Sequence, residues 1–161
     1  MASSAPPPAG SAASPRFRAQ TELEAALSLM DLQRPGEARE RLLALSPALV
    51  FALGPKGRFE YHRALGNCHG TLGDLDHAFA EFLTAIVAAE EVGDYVQRPL
   101  ECWESIFRHG EQAADWTFVH RCASKALAIA RVRRNADLER LAEGARAKAA
   151  AQAPSPGKPP T

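Results

Sequence analysis

The stretch LGNCHGTLGDLDHAFAEFLTAI, residues 65–86, decides how this chain folds. Its apolar residues recur at spacings of three and four, both before and after Gly73-Asp74, which predicts two amphipathic helices. Gly73 can adopt the left-handed conformation that ends a helix, and Asp74 can cap the helix that follows. Gly66 and Ala78 carry at most a methyl group, so the two backbones are expected to approach closely where they cross. The stretch therefore predicts a helical hairpin.

Length and composition suit one folded domain. The chain has 161 residues, of which 46% are hydrophobic and 24% are charged, so it can bury a core. It contains no run of about 18 apolar residues, and we expect no membrane contact. The net charge is zero, which argues against nucleic acid as a partner. The charge is uneven, however, at −6 over residues 21–94 and +4 over residues 95–161, which predicts an acidic half and a basic half.

The sharpest basic cluster is Arg131-Val132-Arg133-Arg134. It lies at a predicted helix C-terminus, where the helix dipole favours cations. Aromatic residues that could stack on bases are absent from the cluster, so a nucleic-acid site is not favoured. An acidic partner surface remains the alternative explanation of this cluster.

Neither cysteine nor histidine spacing indicates a metal site or catalysis. The chain has three cysteines, an odd number with no close pair, which fits buried thiols in a reducing compartment. His62 and His69 are seven residues apart, too far along one helix to chelate an ion easily. The remaining histidines and cysteines have no C-x-x-C or H-x-x-x-H spacing. We predict no enzyme activity, no cofactor and no metal.

Both ends of the chain differ in composition from its middle. Residues 1–15 are Ala, Ser, Pro and Gly after the first Met, and residues 153–161 include four prolines and a glycine. Such segments cannot bury enough apolar surface to offset the entropy of ordering, so both are expected to be disordered around a helical domain at 16–152. The expected location is the cytoplasm. Because no acidic residue precedes Arg16 and Arg18, an organellar targeting segment is the alternative.

The hairpin pattern recurs on both sides of the central stretch. At an offset of 40 residues, Ala38 corresponds to Ala78, and at an offset of 41 residues Val119 corresponds to Ala78. In the first unit, Pro47 should end the second helix, Ser46 could cap a short extra turn, and residues 54–57 should form a loop. Residues 136–152 are Ala-rich with leucines on one side, which predicts a terminal helix that covers the last core face.

The central unit resembles a tetratricopeptide repeat, a 34-residue helix–turn–helix unit. With Phe59 as its first residue, Leu65 and Gly66 fall on the paired seventh and eighth positions, and Ala78 falls on the small twentieth position. Phe82 and Ala85 fall on the twenty-fourth and twenty-seventh positions. Two positions depart from the pattern, since His62 replaces the usual aromatic residue and His69 the usual tyrosine.

The resemblance covers about residues 19–134. It implies an all-α fold, a right-handed α-solenoid of three hairpins plus a C-terminal capping helix, in which the hairpins share one continuous core. In such an array the first helix of each pair lines a concave groove that binds a peptide or a partner helix. The groove positions implied here are Glu60, Arg63, Asn67, Thr71, Glu101, Ser105, Arg108 and Gln112.

The groove residues suggest two kinds of ligand. Arg63 and Asn67 resemble half of the carboxylate clamp with which chaperone-binding members hold a peptide C-terminus. Glu101 and Glu104 would repel a carboxylate, and they favour a peptide with basic residues instead. The sequence thus predicts a non-catalytic scaffold that binds a protein or peptide segment.

Two alternatives to peptide binding remain open at this stage. The wide apolar surface of residues 23–32 could form a homodimer interface rather than a core. The chain could also be an adaptor part of a bacterial regulator or of a secretion-type complex.

Overall fold

The structure is a computed structural model that describes residues 13–152. Within these residues it consists of helices and connecting turns without strands, so the predicted all-α class is confirmed. The predicted tails fall mostly outside this range, at residues 1–12 and 153–161. The helices are α1 (Pro15–Asp31), α2 (Pro35–Leu43), α3 (Pro47–Ala52), α4 (Gly54–Thr71), α5 (Leu75–Glu90), α6 (Gln97–Gln112), α7 (Trp116–Arg133) and α8 (Ala136–Gln152).

The helix contacts follow a two-layer order. Helices α1, α4, α6 and α8 contact one another in succession and form one layer. Helix α2 packs against both α1 and α4, and α5 packs against both α4 and α6. Helix α7 packs against α6 and α8. Each helix of the second layer therefore bridges two neighbours of the first.

The core consists of two clusters rather than the single continuous interior that the sequence predicts. One cluster joins α1, α2 and α4, and the other extends from α5 to α8. Helix α4 contributes side chains to both clusters. Leu65 and Cys68 belong to the first cluster, and Phe59 belongs to the second. The buried Tyr61 hydroxyl donates to the Leu42 carbonyl at 3.1 Å, which ties α4 to α2.

Close approach of α4 to its neighbours depends on two glycines. A Cβ on Gly66 would lie 3.2 Å from the Phe82 ring of α5. A Cβ on Gly70 would lie 2.4 Å from the His109 ring of α6. The sequence placed the small Ala78 opposite Gly66, but the nearest atoms to that position belong to Phe82. A flat ring against a bare backbone thus sets the spacing of α4 and α5.

The predicted turns are partly confirmed. Gly73 has φ +82° and ends α4, as the sequence predicts. Helix α2 ends before Pro47, and the Ser46 hydroxyl accepts from the Leu49 amide at 3.4 Å to cap the short helix α3. Asp74 occupies the N-cap position of α5, as predicted, but its carboxylate makes no side-chain capping hydrogen bond of normal geometry there.

The predicted loop at residues 54–57 is wrong, because these residues form the first turn of α4. Gly54 has φ +71° and reverses the chain after α3. Pro55 follows at the start of the helix, where its fixed φ is favourable and its missing amide proton costs nothing. Gly57 follows two residues after Pro55, at a position where a side chain would not fit, because a Cβ there would lie 2.7 Å from the Leu53 Cβ.

Among residues 13–152, none of the helices has both the length and the apolar character that a bilayer crossing requires.

Candidate protein-binding site

The eight predicted groove residues lie on two adjacent helices of the same layer. Glu60, Arg63, Asn67 and Thr71 belong to α4, and Glu101, Ser105, Arg108 and Gln112 belong to α6. The two helices contact each other directly. We call these eight residues the α4–α6 face.

A hydrogen-bonded bridge across the helices joins three of these residues. Arg108 Nη2 donates to Asn67 Oδ1 at 3.2 Å and to Ser105 Oγ at 3.3 Å. The side-chain oxygen of Asn67 therefore accepts a hydrogen bond from within the protein. Within residues 13–152 its amide nitrogen donates no side-chain hydrogen bond, so it can donate one to a ligand.

Arg63 is occupied on α4 itself. Its guanidinium forms an ion pair with Glu60, with Nη2 and Oε2 2.6 Å apart, and lies over the Phe59 ring at 5.7 Å. The carboxylate clamp suggested by the sequence needs Arg63 to offer its charge to a ligand. Because Glu60 already compensates that charge, a C-terminal carboxylate gains little from Arg63.

Exposure separates the residues of the face. Three residues of the face are exposed, namely Thr71, Arg108 and Gln112. Four are half-buried, namely Glu60, Arg63, Asn67 and Glu101. Ser105 is only 9% exposed, beneath Arg108, so it positions that arginine and offers little contact to a partner. The structure therefore supports seven of the predicted eight as accessible.

His109 belongs to the site but was not among the predicted residues. Its Nε2 lies 3.0 Å from Asn67 Oδ1, an oxygen that already accepts from Arg108. Nε2 must therefore carry the proton, which leaves Nδ1 unprotonated, buried and without a partner among the described residues. Burial first, and then the nearby Arg108, lowers the pKa of His109 to about 4. Only the small Gly70, thirty-nine residues earlier, could have signalled this contact.

We expect His109 to make the protein less stable in mild acid. In the unfolded chain a histidine titrates near pH 6.5, whereas in the folded protein the pKa of His109 is about 4. Between these values the unfolded chain binds a proton that the folded chain does not, so stability falls as the pH falls. Between pH 7 and pH 4.5 the loss from this residue should be about 2 kcal/mol.

Urea unfolding of the wild type and of His109→Gln at several pH values measures this effect. The variant should lose less stability on acidification than the wild type, by about the same 2 kcal/mol. Equal losses in both proteins would show that His109 does not titrate as its burial requires.

The cysteines have no chemical role at this face. Cys68, Cys102 and Cys122 are all buried, as predicted. Burial raises the pKa of Cys68 to about 11 and that of the other two to about 12. Because the thiolate is the nucleophilic form, these thiols are poor nucleophiles at neutral pH.

A cavity lies elsewhere on the protein. It has a volume of about 790 Å³ and lies between the α6–α7 turn and the end of α8, lined by Asp115, Trp116, His120 and Ala149 among others. None of the eight residues of the α4–α6 face lines this cavity.

The basic cluster after Ala130 is held by ion pairs. Arg131 pairs with Glu139 of α8, and Arg133 pairs with Glu90 of α5. Both arginines lie in the last turn of α7, where the helix dipole also favours them. These contacts agree with the structural explanation of the cluster.

Comparison of the chain with protein-family models, with curated proteins and with solved structures gives no match.

Proposed function

We propose that the protein is a non-catalytic scaffold that binds a protein segment on the α4–α6 face. The observation that carries the proposal is the distribution of apolar and polar side chains on α4 and α6. Their apolar sides enter the two core clusters, while three exposed and four half-buried polar side chains lie on the two neighbouring helices, which the Arg108–Asn67 hydrogen bond joins. These polar side chains are available to a partner.

We further propose that the helices form a tetratricopeptide-like stack, a right-handed solenoid with the α4–α6 face on its concave side. The two-layer contact order supports this proposal, since α2, α5 and α7 each bridge neighbouring helices of the other layer. The substitutions at the usual aromatic positions also have local explanations. His62 Nδ1 lies 2.7 Å from Glu81 Oε2, and His69 Nδ1 lies 3.2 Å from Asp74 Oδ2.

The charges of the face favour a basic partner segment. Glu101 and Glu104 make no salt bridge within residues 13–152, whereas Arg63 is paired with Glu60. Counted with Glu60, Arg63 and Arg108 on the same two helices, Glu101 and Glu104 give this surface a net charge of −1. A segment with Lys or Arg residues would complement it, and the free Asn67 amide could donate to a carbonyl of that segment.

A direct test requires the purified partner. The partner is captured from solution with the intact chain as bait, identified and then purified. The binding affinity is then measured for charge reversals on the face. Glu101→Lys should weaken binding about twofold to tenfold, and Arg63→Glu should strengthen it by a similar factor. The two effects have opposite signs because one variant removes negative charge and the other adds it.

Arg63→Glu should also leave the fold intact. The Arg63 side chain is 36% exposed, so the lost ion pair and the new repulsion from Glu60 should cost no more than about 0.5 kcal/mol in urea unfolding. Arg34→Glu is the matched control, because Arg34 also pairs with a glutamate three residues away but lies at the start of α2. If Arg34→Glu changed the affinity as much as Arg63→Glu, or if neither face variant changed it, the proposed face would be wrong.

Self-association is the second candidate function. Part of the apolar surface of α1 remains uncovered, since Phe17 and Leu32 are 64% and 65% exposed. Most of the stripe at residues 23–32 is used in the core, however, because Leu23 and Ala26 are buried. Sedimentation over a wide concentration range decides between the two, and a concentration-independent monomer would eliminate the homodimer.

A further inference from the structure

Three potential metal ligands converge at the turn between α4 and α5. His69 lies in the last turn of α4, Asp74 lies immediately before α5, and His77 lies in its first turn. The Nδ1 atom of His69 is 3.2 Å from Asp74 Oδ2, and the Nδ1 atom of His77 is 2.9 Å from Asp74 Oδ1. The ligand atoms of all three side chains lie within 4.8 Å of one another.

The turn that brings these residues together is fixed by the backbone. The Asp74 amide donates to the His69 carbonyl at 2.9 Å, and the Gly73 amide donates to the Gly70 carbonyl at 3.1 Å. This paired closure of the helix end requires the left-handed residue at Gly73. His77 is then three residues after Asp74 and lies on the same side of the new helix. The arrangement is therefore built into the hairpin.

Asp74 behaves differently from the residues that precede the following helices. Asp94, Asp115 and Asn135 each accept a hydrogen bond from a backbone amide of the helix they begin. The Asp74 carboxylate accepts no hydrogen bond of normal geometry from the backbone of α5, although the His77 ring and, to a lesser extent, the His77 amide contribute to lowering the pKa of Asp74. Its two oxygens are hydrogen-bonded to the two imidazoles, so the carboxylate holds both histidines in place.

We propose that His69, Asp74 and His77 bind a divalent transition-metal ion, Zn²⁺ in the first instance. Two imidazole nitrogens and one carboxylate oxygen form a ligand set that suits zinc. A tetrahedral zinc ion with ligands at about 2.0–2.1 Å places neighbouring ligand atoms roughly 3.3 Å apart. The two nitrogen–oxygen distances, 3.2 Å to Oδ2 and 2.9 Å to Oδ1, are close to that separation, and a rotation of the carboxylate would direct one oxygen at an ion between the imidazoles.

The surroundings of the cluster favour a cation. Asp74 lines a groove of about 410 Å³ together with Asp76 and Asp115, whereas His69 and His77 are not among its lining residues. The negative charges of Asp74 and Asp115 raise the local concentration of cations. Arg121 also lines this groove, where it pairs with Asp76.

Accessibility differs between the two histidines. The His77 side chain is 74% exposed, so an ion can reach the cluster from solvent, while the His69 side chain is only 10% exposed and anchors it. Three protein ligands leave a fourth position for water. A bound ion would fasten α4 to α5 independently of the α4–α6 face.

The spacing rules applied to the sequence overlooked this set because they search within one helix. His69 and His77 are eight residues apart, and only the turn at Gly73 folds them onto the same carboxylate. The competing interpretation is a metal-free cluster in which both imidazoles donate Nδ1–H to Asp74. The two interpretations differ in whether the cluster binds an ion saturably.

Calorimetric titration of the chelator-treated full chain with ZnCl₂ tests the proposal. The wild type should bind one Zn²⁺, and His77→Gln should bind it at least about tenfold more weakly. His77 is exposed, so this variant should fold normally, which circular dichroism verifies. His120→Gln is the matched control, because His120 is also exposed but lies outside the cluster.

Thermal unfolding gives a second readout that does not depend on heats of binding. Zn²⁺ should raise the melting temperature of the wild type and of His120→Gln, because it binds only the folded state, and should not raise that of His77→Gln. The absence of saturable binding to the wild type would overturn the proposal. So would an affinity that is the same in His77→Gln, or that falls equally in His120→Gln.

Discussion

Replacing Phe82 with alanine is expected to lower the free energy of unfolding by about 3–5 kcal/mol. Phe82 lies in α5 and is fully buried. Its ring packs against the bare backbone at Gly66 and stacks on His109, with ring centroids 6.1 Å apart. The substitution would leave a cavity where α4, α5 and α6 meet, and rigid helix backbones cannot collapse to fill it.

Urea unfolding of the variant, monitored by circular dichroism, measures this loss. Phe17→Ala is the matched control, since it removes the same side chain from α1 at a position that is 64% exposed. The control should change stability by no more than about 0.5 kcal/mol. Similar unfolding midpoints for the two variants would mean that Phe82 does not fill the junction of the three helices.

Gly70→Ala is expected to destabilise the protein by about 1–3 kcal/mol, although alanine is the better helix former. The added Cβ would lie 2.4 Å from Cγ and 2.5 Å from Cδ2 of His109. The His109 ring has little freedom to move, because it is buried and hydrogen-bonded through Nε2 to Asn67. Either the ring loses its hydrogen bond or α4 and α6 move apart.

The same substitution in an open helix should have the opposite sign. Gly144 lies in α8, and a Cβ there would have no atom within 4 Å. Gly144→Ala should therefore stabilise the protein by up to about 1 kcal/mol through helix propensity. The two variants should differ by about 1–4 kcal/mol in denaturant unfolding. Stabilisation by both would show that α4 and α6 do not approach closely at Gly70.

The hairpins could be predicted from sequence because their signals are local. The glycine at position 73 and the three–four spacing of apolar residues around it predict a helix end and two helix faces without long-range information. The extra turn after Pro47 was predictable for the same reason, since proline and a preceding serine act within one helical turn. The structure confirms both features.

The errors occurred where two local signals compete. A segment with two glycines and a proline at 54–57 favours a loop, yet a proline is also favourable in the first turn of a helix. The structure has a helix here, in which Gly57 packs closely against Leu53. At Asp74 the sequence predicts the N-cap position of α5, but it does not indicate that the carboxylate is also hydrogen-bonded to His69 across the turn.

The site could be predicted only as a set of positions on two helices. Asn67 and Arg108 are 41 residues apart, and no sequence pattern states that the arginine takes the amide oxygen. The burial of Ser105 and the inclusion of His109 follow from how closely α4 and α6 approach, which depends on the side chains that meet there. These are long-range packing effects, and periodicity does not encode them.

The most direct test of the central claim is NMR chemical-shift mapping of the ¹⁵N-labelled chain with its purified partner. We expect the largest shifts on α4 and α6, including the side-chain amide of Asn67, whose nitrogen donates no side-chain hydrogen bond within the described residues. Shifts confined to α2, α5 and α7, with the Asn67 side-chain signal unmoved, would contradict a partner-binding surface on the α4–α6 face.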